Sequence, residues 1–155
     1  MKALSRIIAL IILTFSFNAC THNNGNIGEL FGTWKLQSIS IDGETDTSYI
    51  GNVLWKFQSS VMCMVRANDD THNKFESWGT WSYANDDTQL ELNFTHTDND
   101  NPNQGSMKYS PLPETYLPKA TISTLDITML NGSEMILVYH SIDGKEYRYK
   151  FKRWA

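Results

Sequence analysis

Residue-by-residue alternation between tight turns is the feature that most constrains this chain. Leu90-Glu91-Leu92-Asn93-Phe94 and Tyr147-Arg148-Tyr149-Lys150-Phe151-Lys152 change character at every step, the period of a strand with one buried face. Aromatic and β-branched residues recur in similar runs along the chain, and no stretch carries a helical period. Strands are expected over 31–42, 53–58, 61–67, 75–83, 89–96, 124–130, 134–141 and 145–154. Asp42-Gly43, Asn131-Gly132 and Asp143-Gly144 stand between or beside these runs. Such dipeptides are strong hairpin signals, because both central residues accept positive φ. Eight strands joined in order describe an antiparallel up-and-down meander. Left open it would carry two unpaired edges, so closure into an eight-stranded antiparallel β-barrel is expected. A barrel of that size is either filled by its own side chains or holds one small ligand.

Alternation also nominates an inner face. Trp55, Phe57, Trp81, Tyr83, Leu92, Phe94, Tyr147 and Tyr149 fall on one side of their strands. Core filling is the plain reading of so many aromatics. The sharper one is a cavity whose walls stack on an apolar ligand, with tyrosine hydroxyls fixing its orientation; Trp55, Phe57, Trp81, Tyr83, Phe94, Tyr147 and Tyr149 are its candidate lining. The break at 97–123 begins with a polar Asn/Asp-rich loop and continues as Ser110-Pro111-Leu112-Pro113-Glu114-Thr115-Tyr116-Leu117-Pro118. Three prolines forbid a central strand there, while Leu112, Tyr116 and Leu117 favour burial. A connection of this length either plugs one end of the barrel or gates a mouth.

The N-terminus places the chain. Lys2 and Arg6 precede an apolar run over 7–17, and Asn18-Ala19-Cys20 closes it. That run is short for a bilayer span and has the flanks of a secretory signal. A cysteine at the exit resembles the lipobox of bacterial lipoproteins, with Phe17 where that motif favours leucine. The resemblance implies a signal peptide over 1–19 and lipidation of the Cys20 thiol. It also implies a further acyl chain, such as palmitate, on the new amino terminus. Residues 20–27 then form a polar tether and 28–155 the barrel domain. Multiple acyl chains suffice for stable anchoring. Of 13 Lys and Arg, two lie in the signal, leaving 11 against 17 acids. That balance argues against nucleic acid and leaves the lipid as the membrane contact. Beyond Cys20 the sequence holds only Cys63, within the apolar run Val61-Met62-Cys63-Met64-Val65, where a buried inert thiol is expected.

The segment Leu30-Phe31-Gly32-Thr33-Trp34-Lys35-Leu36 opens the first strand with Gly-x-Trp, which resembles the lipocalins and the wider calycin group. Over about residues 28 to 154 the chain is similar to the lipocalin-like lipoproteins of Bacteroidetes. Those proteins combine a lipobox, an early Gly-Thr-Trp-Lys-Leu and an aromatic-basic last strand. The resemblance implies a barrel floor in which Gly32 permits close backbone approach and Arg153 lies over the Trp34 ring. It further implies a small apolar or amphipathic ligand within the barrel, at the outer membrane of the cell envelope. The alternative is a filled barrel serving as an envelope interaction module. A monomer is expected in either case.

No enzyme is expected. The sequence lacks a Gly-x-Ser-x-Gly elbow, His-Glu-x-x-His and a phosphate-cradling glycine loop. Its carboxylates are dispersed, and no pair stands out as acid and base. Histidines 22, 72, 96 and 140 are scattered without zinc spacing. Asp98-Asn99-Asp100-Asn101 opens like a calcium loop, but Pro102 falls where a ligand oxygen is needed. No metal or cofactor is expected.

Overall fold

The computed structural model describes residues 28–67, 74–96 and 109–154. Among them are nine strands: β1 (Gly32–Ile41), β2 (Glu44–Thr45), β3 (Val53–Gln58), β4 (Val61–Ala67), β5 (Lys74–Ala84), β6 (Gln89–Asn93), β7 (Ile122–Leu130), β8 (Glu134–His140) and β9 (Glu146–Arg153). Apart from the two-residue β2, each strand pairs with the next along the chain, and β9 pairs back onto β1. All these pairings are antiparallel. The eight long strands therefore form a closed barrel with no free edge among them.

Two bulges bend the sheet to closure. In β1 the register with β9 shifts between Leu36 and Ser38. Trp34 and Leu36 face inward before it, and Ile39 after it. In β7 a shift lies between Ile127 and Met129. An extra residue on one strand increases local twist and reverses the parity of everything beyond it, so simple alternation holds only between bulges.

The turns follow three different chemistries. Asp42 and Gly43 both take positive φ, at 51° and 88°, the mirror-image turn that a two-residue hairpin requires. At the next hairpin signal only Gly144 is positive, at 85°, and its N–H donates to Ser141. That is a three-residue loop closed by a left-handed glycine. At Asn131-Gly132 neither residue takes positive φ. There the Asn131 side-chain oxygen accepts from the backbone N–H of Ser133 and Glu134 at 2.9 and 2.8 Å, so a carboxamide shapes the turn. The same device shortens β6. Asn93 Oδ1 accepts from the Thr95 N–H and hydroxyl, and the strand ends there instead of running on to His96.

The floor is built where β1 begins and β9 ends. Trp34 is fully buried, and its indole N–H donates to the Leu30 carbonyl at 2.8 Å. Arg153, paired with Trp34 in register, sets its guanidinium 4.1 Å from the indole centroid. The same guanidinium donates to the carbonyls of Phe31, Glu29 and Gly132. It thereby ties the entering chain to the β7–β8 turn. Gly32 sits at φ +124°, and a Cβ on it would lie 2.6 Å from Arg153 Nη1. Only glycine leaves room for the cation at that point. Higher in the wall, a Cβ on Gly79 would meet the Phe94 ring at 3.0 Å and the Asn93 carbonyl at 2.8 Å, so this strand glycine makes space for Phe94.

Trp34→Ala removes the largest side chain at the floor and leaves the Arg153 guanidinium over a void. It should destabilise the protein by about 3–5 kcal/mol, measured by urea unfolding. A change under about 1 kcal/mol would show that the indole is not what closes this end.

Candidate functional site

The sequence-nominated residues divide by depth. Trp55, Phe57, Phe94, Tyr147 and Tyr149 are buried in the core cluster, whereas Trp81 and Tyr83 are half-buried and pack against it near the floor. Ring contacts run almost the whole height of the barrel. Tyr83 meets Trp81 edge-on at 5.4 Å, Trp81 meets Phe57 at 5.6 Å, and Phe57 meets Trp55 at 6.4 Å. Trp55 then contacts Phe151 at 4.9 Å and Tyr149 at 5.8 Å. Met62, Met64, Leu90, Leu92, Leu125 and Leu137 fill the space around this column. The interior is a packed aromatic core.

The mouth lies opposite the floor, and the strap over residues 109–121 closes it. A single 3-10 turn, Pro113–Thr115, centres the strap, with Tyr116 left-handed at φ 58° after it. Leu112, Thr115 and Leu117 are buried beneath. The prolines that exclude a strand thus shape a compact plug whose apolar side chains complete the core.

Three polar side-chain contacts hold residues 114–116 of the strap down. Tyr149, fully buried, donates its hydroxyl to the Thr115 carbonyl at 2.6 Å. Burial pushes that phenol well above its ordinary range, so it remains a donor. Tyr116 stacks on Tyr147 at 5.2 Å and donates to Asp46 Oδ2 at 2.8 Å. Arg66, at the mouth end of β4, pairs with Glu114 Oε1 at 2.5 Å, and its guanidinium lies 4.5 Å from the Phe75 ring centroid. Nearby, Tyr49 donates to the Leu36 carbonyl and accepts from the Val53 N–H. Its phenol is pushed up to about 12, chiefly by burial.

Four buried polar atoms have no partner among the described residues: Trp55 Nε1, Trp81 Nε1, Glu114 Oε2 and Ser123 Oγ. Buried polar groups are paired in the great majority of cases, which makes these four atoms exceptions in the interior and its strap. Sequence reasoning missed Arg66, Asp46 and the strap's Glu114 as a set. They lie far apart in the chain, and only closure brings them to one rim. Cys63 is buried with its thiol pushed up to about 11, chiefly by burial, which leaves it a poor nucleophile at neutral pH. A separate open cleft of about 390 Å³ lies between the N-terminal turn and β7, lined by Gly28, Glu29, Tyr83, Asp87 and residues of β7. Among the described residues no three metal-ligating side chains come together. Cys20, the expected signal and tether, His22, His72 and the loop around Asp98 lie outside the described residues.

A closed eight-stranded meander with a Gly-x-Trp floor and a basic residue over the indole defines a barrel of lipocalin type. A family model described as a lipocalin-like domain matches residues 12–154, and the chain belongs to that family. It is similar in structure to a lipocalin-like protein from Bacteroides uniformis, with TM-score 0.56 and 17% identity over 82% of this chain and 100% of that one. A protein from Bacteroides eggerthii aligns with TM-score 0.56 and 12% identity, covering 81% and 99% of the two chains. At these identities the likeness shows the fold alone. None of the curated proteins matches this chain.

The Asp46 contact makes a pH prediction. Hydrogen bonds from Ser48 first, then Tyr116, hold the Asp46 carboxyl below its ordinary 3.8. A carboxyl depressed by folding adds stability in full above its unfolded value, and that stability drains away as pH falls through the folded one. Asp46 is exposed, so the contribution is small and screened. An NMR titration of the Asp46 carboxyl carbon should give a midpoint under 3.8, and Tyr116→Phe should move it upward. An unmoved midpoint would mean that the strap does not engage Asp46 in solution.

Proposed function

We propose that this lipocalin-like protein is anchored by lipid on Cys20 to the outer membrane of a bacterial cell envelope. There it takes a small apolar or amphipathic ligand at the strap-covered mouth of its barrel. The observation carrying this reading is the strap itself. Leu112 and Leu117 are core side chains supplied by a proline-rich connection outside the strands. Against the strap lie two aromatic side chains of β9: Tyr147 stacks on Tyr116, and Tyr149 donates to the Thr115 carbonyl. Lifting the turn at residues 114–116, tied down by three polar side-chain contacts, would uncover these side chains without breaking a strand pairing, at a cost far below global unfolding. The ligand site is then shallow and lies near the rim, because the lower barrel is filled by the Trp55–Phe57–Phe151 packing.

The anchoring part rests on the basic-apolar-cysteine order at residues 2–20 and on the excess of acids, which leaves the acyl chains as the membrane contact. The domain acts as a monomer that binds and presents its ligand, with no chemical step. A second reading has its own support: the continuous ring contacts suit a solid barrel serving as an interaction module for envelope proteins.

Tryptophan fluorescence against a panel of fatty acids, bile acids, haem and retinoids separates the two. A saturable response from at least one class is expected. No response from any class would leave the solid module as the better account. For the anchor, cells given labelled palmitate should mark the wild-type chain and not Cys20→Ala. Equal labelling of both would remove Cys20 as the attachment point.

A further inference from the structure

We infer, building on the ligand reading above, that the barrel mouth selects carboxylate-bearing amphiphiles. In this account Arg66 is the head-group cation, and Glu114 of the strap occupies the ligand's place when none is bound. Arg66 follows Met62 and Met64 on the inward parity of β4, at the mouth end. Its side chain is 31% exposed and that of Glu114 27%, so the pair sits at the rim, partly desolvated. Among the described residues Glu114 is the carboxylate paired with it.

That pair is incomplete. Guanidinium and carboxylate match best when two N–H groups meet both oxygens. Here Oε1 takes the Arg66 hydrogen bond, while Oε2 is buried with no partner among the described residues. A buried oxygen left unpaired costs free energy. A free carboxylate could present both oxygens to the guanidinium.

The strap also has the outline of an amphiphilic acid. Leu112 and Leu117 flank Glu114 and are buried in the core cluster, so a carboxylate on the cation is accompanied by alkyl groups in the apolar interior. A ligand displacing this segment would inherit its apolar seat from Leu112 and Leu117 and its ion pair from Glu114. It would also release the Tyr149 hydroxyl from the Thr115 carbonyl, freeing a buried donor for the second ligand oxygen. Strap and ligand compete for one cation, which makes the closed strap an internal inhibitor.

The test compares decanoate with 1-decanol, equal in chain length and different in charge, by tryptophan fluorescence on the full chain. Decanoate should bind about tenfold more tightly than decanol, as one well-made charged contact allows. Arg66→Gln should abolish that preference, bringing the decanoate and decanol affinities of the variant to within about twofold of each other. Glu114→Gln, which keeps the side-chain shape and removes the competing charge, should strengthen decanoate binding by about five- to tenfold. If Arg66→Gln fails to fold, Glu114→Gln decides alone. Equal binding of acid and alcohol, unmoved by Glu114→Gln, would overturn the carboxylate assignment and leave the ligand reading standing. Binding of neither compound to wild type or to Glu114→Gln would overturn both.

Discussion

The pairing of β1 with β9 is the contact on which everything else depends. It turns a meander into a barrel, and only in a barrel do residues more than a hundred positions apart share one interior. Its register runs from Trp34 opposite Arg153 to Ile41 opposite Tyr147, joining floor to mouth along one seam. At the lower end Arg153 locks the closure by covering the indole and gathering carbonyls from the entering chain and a distant turn. At the upper end Tyr147 and Tyr149 on the same strand meet the strap. One strand thus builds both ends of the barrel.

Closure at this strand number leaves little room inside. With indole, phenyl and phenol rings facing inward from β3, β5 and β9, the lower interior fills completely. Local opening is then easiest where packing is supplied by something other than strands. The strap is such a place, because its leucines belong to the core while its backbone lies outside the sheet. The aromatics of β9 and Arg66 at the rim are the features on which the proposed amphiphile site rests. In the proposed reading, this long connection, unusual in a compact domain, is what makes binding possible above a packed core.

Much of the fold was legible because strand periodicity and turn chemistry are local. Leu90 to Phe94 and Tyr147 to Lys152 announce their faces residue by residue, and Asp42-Gly43 announces its turn type. Asn131-Gly132 announced a hairpin but not its geometry, since a side-chain carboxamide competing for the turn depends on how Ser133 and Glu134 come round. The bulges in β1 and β7 were not legible. An extra residue such as Gln37 looks like any polar strand residue, yet it reverses the facing of Ile39. The depth of the aromatics was also hidden. Trp81 and Tyr83 have the same parity as deeper residues, but their height near the floor leaves them half-buried. The rim made by Arg66 with Glu114 and by Tyr116 with Asp46 could not be read at all, because an ion pair across 48 residues and a hydrogen bond across 70 exist only after closure.

The most direct test is native-state hydrogen exchange by NMR. Hydrogen-bonded amides of β1 and β9 should exchange only through global opening, with the same free energy as those of β4 and β5. The strap amides of Thr115 and Tyr116, which donate to Leu112 and Pro113, should exchange through a smaller local opening. If β1 and β9 instead exchange early, as the edges of an open sheet do, the closed barrel is contradicted. If the strap is protected as fully as the central strands, it is a fixed part of the core and not a removable plug.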